Sequence, residues 1–238
     1  IVAGIDVGGR RKGFHGVLLA NGRYLEQYHS HDPALITAWC RQHGAQLVGV
    51  DSPCRWNMRR DQPRSSELAL LRAGIACFVT PTCERAAESP FYAWMFGGMQ
   101  LFACLEAHFP LFDGHPEKRQ GPACFETYPY AVARVLGGKE LQARNKKVDR
   151  QAVLRQAGIA TEALANQDFV DAGLCALAAW RLAQGRYQSF GEAGSALIVV
   201  PSGELPGGER PWREVPVDHV GKQTGAAGGR RTDKATEG

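Results

Sequence analysis

The sequence contains little that would mark a disulfide-bonded, zinc-binding or membrane-spanning protein. Its seven cysteines form no C-x-x-C pair and no Cys/His cluster at the spacing of a zinc site. Single thiols scattered through a chain of 238 residues indicate a reducing compartment, so we expect a cytoplasmic protein. No apolar run approaches the length of a membrane span, so we expect no membrane partner.

Common nucleotide-cofactor and hydrolase motifs are also missing. The segment "GIDVGG" at residues 4–9 is neither the dinucleotide-binding G-x-G-x-x-G nor a Walker loop. The histidines do not pair with a serine or a cysteine in a recognisable hydrolase motif. The sequence therefore gives no support to a nucleotide cofactor or to a Ser or Cys hydrolase.

Composition and charge indicate a globular protein with a sizeable core. Hydrophobic residues make up 44% of the chain and aromatic residues 9%, which excludes global disorder. The net charge of +4 permits a polyanionic partner without requiring one. From residue 202 the composition shifts to Gly, Pro and mixed charge, so we predict one domain over 1–201 and a disordered tail over 202–238.

The order of elements predicts a mixed α/β sheet. Three strands come first and form an antiparallel meander, with a hairpin at Asn21-Gly22. A helix capped by Asp32 follows, then a fourth strand ending at Asp51. A helical crossover normally returns the chain parallel to an earlier strand, so we expect the fourth strand beside the first. A helical insertion over about 54–122 precedes a short strand near Glu126, and "ALIVVP" predicts a last apolar strand.

Three carboxylates end predicted strands. Asp6 ends the first strand, Asp51 the fourth, and Glu126 the strand after the insertion. The carboxyl ends of neighbouring parallel strands lie at one edge of the sheet, where open α/β sheets bind ligands. We therefore expect these three acids to meet at that edge.

A fourth carboxylate, Asp171, lies on the predicted helix "QDFVDAGLCALAAW". It shares a face with Leu174, Cys175 and Ala178, which suit close packing on a sheet. A carboxylate on a packed face needs compensation, and a cation would provide it. Asp168 lies one turn earlier and is either the helix N-cap, which we favour, or a further ligand.

Converging carboxylates without His or Cys favour a hard divalent cation, Mg²⁺ or Mn²⁺. Two such ions can flank a phosphodiester bond, one activating water and the other stabilising the leaving oxygen. We predict catalytic and metal-ligating roles for Asp6, Asp51, Glu126 and Asp171, with Asp168 as an additional ligand. The competing interpretation is structural: each acid serves as a turn former, a helix cap or an arginine partner.

Several cationic stretches are candidates for phosphate contacts. We assign nucleic-acid binding to five of their side chains, namely Arg55, Arg59, Arg60, Lys146 and Lys147. The run "RRK" at residues 10–12 is interpreted as solvated surface, since most charge runs are.

Four motifs in this order resemble a known family: "GIDVGGRRKGFHGVLL", "VGVDSPCRW", "FETYPYAV" and "DFVDAGLCALAAW". The family is a prokaryotic domain of unknown function described as predicted RNase H-like nucleases, and the resemblance covers about residues 2–201. It implies an RNase H-like fold with a five-stranded central sheet and flanking helices. It also implies a divalent-metal site at Asp6, Asp51 and Asp171, with Glu126 of the "E-x-Y-P" motif as a fourth site residue.

The sequence and the resemblance together predict a divalent-metal-dependent nuclease that hydrolyses phosphodiester bonds of nucleic acid, with Asp6 bridging two ions. Two alternatives stay open. An ATP-dependent phosphotransferase of the actin and sugar-kinase superfamily would share the fold core, but its second glycine-rich phosphate loop is missing here. A non-catalytic nucleic-acid-binding module is the other.

Overall fold

The computed structural model describes residues 1–60, 62–116, 121–138 and 146–203. The predicted tail from residue 204 onward lies outside them. Seven strands are described: β1 (Val2–Val7), β2 (Phe14–Ala20), β3 (Arg23–Ser30), β4 (Leu47–Asp51), β5 (Ala123–Glu126), β6 (Tyr187–Phe190) and β7 (Ile198–Pro201). The helices are α1 (Pro33–Gln42), α2 (Ser65–Arg72), α3 (Cys83–Ala87), α4 (Ala93–Glu106), α5 (Pro129–Gly137), α6 (Lys146–Gln156) and α7 (Gln167–Ala183), with a 3-10 turn at Pro90–Tyr92.

The strands form one mixed sheet in the order β3-β2-β1-β4-β5-β7-β6. The first three strands are the predicted antiparallel meander. β4 lies parallel to β1, as the helical crossover predicted, and β5 continues parallel to β4. The α/β class and the mixed sheet are therefore confirmed.

The sheet has seven strands, and the expected number of five was wrong. β7 adds parallel to β5, and β6 pairs antiparallel with β7 at the edge. β7 corresponds to the apolar run that the sequence predicted as a last strand, and it is buried throughout. The sequence did not predict β6, because this strand is short, carries the polar Gln188 and Ser189, and buries only Phe190.

Helices cover both faces of the sheet and divide the core in two. One cluster joins Val2, Leu47 and Phe125 of the sheet to α5, α6 and α7. The other joins alternate strand residues, including Ile5, to α1 and α4. Because successive side chains of a strand point to opposite faces, Asp6 and Asp51 lie on the α7 face.

Helix α7 packs directly on two strand backbones. Gly4 of β1 and Gly49 of β4 are register partners, so they lie side by side beneath the helix. A Cβ on Gly4 would overlap the backbone of Ala172 and Ala176, and one on Gly49 would lie 2.7 Å from the carbonyl oxygen of Cys175. This close approach fixes the height of α7 above the strand ends.

Replacement of either glycine should therefore be costly. We expect Gly4→Ala or Gly49→Ala to lower the free energy of unfolding by about 2–4 kcal/mol, since the added methyl group meets backbone that cannot rotate away. Urea denaturation measures the loss. Gly97→Ala in α4 is the matched control, because its Cβ finds no neighbour nearer than 3.8 Å. Equal stability of Gly4→Ala and Gly97→Ala would contradict the close packing.

Candidate functional site

Asp6 and Asp51 form the floor of the candidate site. They are register partners at the ends of the parallel strands β1 and β4, and their side chains are hydrogen-bonded to each other. Asp6 is buried and Asp51 partly buried. Two carboxylates on rigid strands are thus held side by side, as the sequence predicted from the strand order.

The first turns of α7 bring two further carboxylates to the same place. Asn166 caps the helix by accepting a hydrogen bond from the backbone N–H of Phe169 (2.9 Å). The interpretation of Asp168 as the N-cap was therefore wrong: the N-cap lies two residues earlier, and Asp168 is the second residue of the helix. Asp168 and Asp171 are three residues apart, so both reach the same side of the helix.

Cations neutralise the two α7 carboxylates. The Lys12 ammonium lies 2.8 Å from Asp168. Asp171 is ion-paired with the buried Arg150, accepts a hydrogen bond from Gln167 (2.7 Å) and lies 3.1 Å from the Lys146 ammonium. Within 1–60, 62–116, 121–138 and 146–203, no ion pair joins Asp6 or Asp51 to a cation. The negative charge of the site is therefore concentrated on its floor.

Burial and mutual repulsion act on the floor pair. Burial, followed by the charges of Asp51, Asp171 and Asp168, raises the pKa of Asp6 well above its usual range. Burial and the charge of Asp171 raise the pKa of Asp51 to about 7. At neutral pH the pair consequently retains a proton unless a cation binds beside it.

The strand on the other side of Asp6 supplies no positive charge. His15 of β2 is the register partner of Asp6, and it is buried. Burial lowers the pKa of His15, so its imidazole is neutral at physiological pH. Asp6 therefore lies between a neutral ring and a second carboxylate.

The four aspartates line one open cleft of about 620 Å³, which we call the acidic cleft. Arg10, Arg11, Lys12 and Lys146 line it as well, so the floor is acidic and the rim is basic. Trp94 and Pro90 form part of the facing wall. The arrangement can accept a cation at the floor and an anionic group at the rim.

The donor chemistry of the floor fits a hard divalent cation, since it consists of carboxylate oxygens without sulfur or imidazole. The fit is incomplete, because in the described part of the chain no three His, Cys, Asp or Glu side chains are arranged to enclose an ion. Asp171 faces Arg150 and Lys146 instead. Asp6 and Asp51 are thus the pair best placed to hold a metal, with Asp171 and Asp168 adjacent.

Glu126 lies outside the acidic cleft. It is the register partner of Val50, one residue before Asp51, so strand alternation places it on the opposite face of the sheet. There it is buried and bound by Arg64 through two hydrogen bonds of 2.6 and 2.9 Å, and by the backbone N–H of Cys54 (2.9 Å). For Glu126, this geometry matches the competing structural interpretation, in which the acid is the partner of an arginine.

The five predicted nucleic-acid-binding cations are spread over the molecule. Lys146 lines the acidic cleft. Arg55 forms two 2.6 Å hydrogen bonds with Glu106 of α4. Arg59, Arg60 and Lys147 are exposed and are not among the residues that line the acidic cleft.

Sequence reasoning missed four cations of the site. Arg10, Arg11 and Lys12 were interpreted as solvated surface, although their position just after Asp6 and two glycines could have placed them at the strand edge. Arg150 lies four residues after Lys146, on the same side of α6. That spacing was a usable signal once Lys146 had been placed near the acids.

The stability of the metal-free protein should fall as the pH rises. An aspartate whose pKa is raised by folding contributes stability below its unfolded pKa and loses it as the pH rises through the folded value, here about 7 for Asp51. We expect Asp51→Asn to be more stable than the wild type at pH 8 in EDTA, by roughly 1–3 kcal/mol. Thermal melts at pH 5.5 and 8 measure this.

Glu162→Gln, at an exposed carboxylate outside the acidic cleft, is the control and should leave the pH dependence unchanged. Millimolar Mg²⁺ should raise the melting temperature of the wild type at pH 8 and not that of Asp51→Asn. An equal melting temperature of the wild type at pH 5.5 and pH 8 would contradict the conclusion that Asp6 and Asp51 have no compensating cation.

Glu126→Gln should lower stability by about 1–3 kcal/mol, because the buried Arg64 loses half of its carboxylate contacts. Glu106→Gln is the matched control. Its pair with Arg55 is more exposed, so we expect a cost below about 1 kcal/mol. Urea denaturation compares the two, and equal costs would speak against a structural role for Glu126.

One of three comparisons with known proteins, a family model, identifies the family of this chain. No curated protein matches the sequence. The chain is similar to the Thermus thermophilus RuvC structure, with 16% identity and a TM-score of 0.39, over 77% of this chain and 96% of that one. A family model described as "Protein of unknown function (DUF429)" matches residues 4–194. The predicted membership of a domain-of-unknown-function family is confirmed: the chain belongs to the DUF429 family.

Proposed function

We propose that the protein is a divalent-metal-dependent nuclease that hydrolyses phosphodiester bonds of nucleic acid in the acidic cleft. The observation that carries the proposal is the floor pair, the buried Asp6 and the partly buried Asp51, which lie side by side without an ion-paired cation among the described residues. Uncompensated carboxylates on rigid strands cost stability, and a metal site is a chemical reason to retain them.

The charge pattern of the acidic cleft supports a phosphate substrate. Arg10, Arg11 and Lys12 occupy the turn between β1 and β2, directly beside the floor. Cations at this rim would hold the backbone phosphates of a nucleic acid, while the acids below would repel phosphate unless a metal ion intervened. A cleft with an acidic floor and a basic rim therefore suits a phosphodiester bound through a metal ion better than a purely acidic or purely basic cleft would.

Mg²⁺ or Mn²⁺ would be held by Asp6 and Asp51, with Asp171 completing the set and Asp168 beside it. Bound ions of this kind activate water and stabilise the charge that develops on the leaving oxygen. The predicted number of two ions remains part of this proposal.

Neighbouring side chains of the chain would position these groups. Arg150 and Gln167 hold the Asp171 carboxylate beside the floor, and a bound metal ion would share that carboxylate with them. Asp168 holds Lys12 at the rim. Arg150 and Asp168 are thus positioning residues in this scheme, whereas Lys12 would contact phosphate.

The topology adds support. The first five strands run in the order β3-β2-β1-β4-β5, with the meander antiparallel and the rest parallel. This order fits the RNase H-like fold that the family resemblance predicted. No described helix is both long and apolar enough to cross a membrane.

The test is a cleavage panel of labelled single- and double-stranded DNA and RNA in Mn²⁺. We expect wild-type cleavage, and a loss of roughly 100-fold or more in Asp6→Asn, because a floor ligand is removed while the strand is kept. Glu162→Gln, purified identically, is the control and should retain full activity.

Equal cleavage by wild type and Asp6→Asn would assign the activity to a contaminant or another site. Inactivity of the wild type on every substrate would overturn the nuclease. Retention of nucleic-acid binding in that case would leave the non-catalytic binding module as the better description.

A further inference from the structure

A second cavity, of about 420 Å³, opens beside the acidic cleft. We call it the side cavity. It shares Gly8, Gly9, Arg10, Ala93 and Trp94 with the acidic cleft, so the two spaces adjoin each other. Its volume lies within the roughly 300–1,000 Å³ of small-ligand sites.

The walls of the side cavity differ in chemistry from the acidic cleft. The half-buried Trp94 and Phe96 supply aromatic surface, with the buried Phe14 also in the lining, and the exposed Gln100 and His31 supply polar groups. None of the described residues that line it is Asp or Glu. Such walls suit a flat heteroaromatic group that stacks on a ring and presents polar atoms at its edge.

Gly9 lies at the boundary of the two spaces and has no structural need to be glycine. Its φ is not in the left-handed region, and a Cβ there would meet no atom of the described residues within 4 Å. Neither backbone conformation nor packing therefore accounts for the missing side chain. A ligand that passes close to the backbone between the acidic cleft and the side cavity would account for it.

We propose that the side cavity binds an unpaired nucleobase of the nucleic acid strand whose phosphate lies in the acidic cleft; this assignment rests on the proposed function. The basic turn between the two spaces would hold the phosphate, and the base would lie on the far side of Gly9. A base stacked within a duplex cannot enter such a cavity. The substrate class is thus nucleic acid with an unpaired nucleotide next to the scissile phosphate.

Binding without cleavage tests this directly. Fluorescence anisotropy in Ca²⁺, a hard cation that carboxylates can hold in place of Mg²⁺ or Mn²⁺, would compare three labelled oligonucleotides: a fully paired duplex, the same duplex with one unpaired nucleotide, and the latter with an abasic residue at that position. We expect the wild type to bind the unpaired nucleotide about tenfold more tightly than either other probe, because stacking of one base supplies a difference of that size.

Two variants locate the effect. Gly9→Leu should abolish the tenfold preference and leave the affinity for the paired duplex within about twofold, since phosphate contacts are kept. Gln100→Ala should weaken binding of the unpaired nucleotide alone, with Gln42→Ala, an exposed glutamine on α1, as its matched control. Melting temperatures verify that each variant is folded.

A fluorescent base analogue at the unpaired position gives a second readout. Its emission should be quenched on binding to the wild type, by stacking in the side cavity, and should stay unquenched with Gly9→Leu. Unchanged quenching in folded Gly9→Leu, or equal affinity of the wild type for the base-containing and abasic probes, would overturn the assignment. Displacement of the probe by an equal concentration of nucleoside monophosphate would assign the cavity to a free nucleotide instead.

The experiments distinguish a failure of the proposed nuclease activity from a failure of the side-cavity assignment. Cleavage without a preference for the unpaired base would remove the side-cavity assignment and keep the nuclease. A preference in Ca²⁺ from a protein that cleaves nothing in Mn²⁺ would keep the binding site and remove the catalysis.

Discussion

The direct contact between α7 and the glycine pair of β1 and β4 is the constraint on which the site depends. Because Gly4 and Gly49 carry no side chains, the helix descends onto the strand backbones. Its first turns then hold Asp168 and Asp171 over the strand ends, where Asp6 and Asp51 already lie in register. Four carboxylates that are distant in sequence meet through backbone geometry, which explains how strongly repelling groups are kept together.

Charge compensation within this group is uneven. The carboxylates on α7 have cationic or amide partners. Among the described residues, the carboxylates on the sheet have no ion pair and lie beside each other and a neutral imidazole. A fold selected for stability alone would place apolar residues at the two strand ends. The paired carboxylates on α7 therefore maintain the shape of the site, whereas the carboxylates on the sheet remain available to a ligand.

Local patterns made most of the sheet predictable. The hairpin signal, the capped helix and the aspartate after β4 were enough to place Asp6 beside Asp51, and the packed face of α7 was enough to place Asp171. The predicted position of Glu126 was wrong because the end of a strand does not determine which face a side chain takes. Glu126 pairs with Val50 and not with Asp51, and this offset of one residue puts it on the other face of the sheet. Asn166 caps α7 through a contact only three residues away, and because Asn and Asp are comparable N-caps, residue type alone could not decide between Asn166 and Asp168. The pairing of Arg64 with Glu126 joins residues 62 positions apart, which no local pattern encodes.

The turn between β1 and β2 carries a consequence for how this protein can change. A hydrogen bond of 2.8 Å from the N–H of Gly8 to the carbonyl of Gly13 closes the turn, and its residues line both the acidic cleft and the side cavity. An insertion or deletion there would alter the width of both spaces at once. Among homologues, changes in the length of this six-residue turn should therefore alter reactivity and ligand preference together.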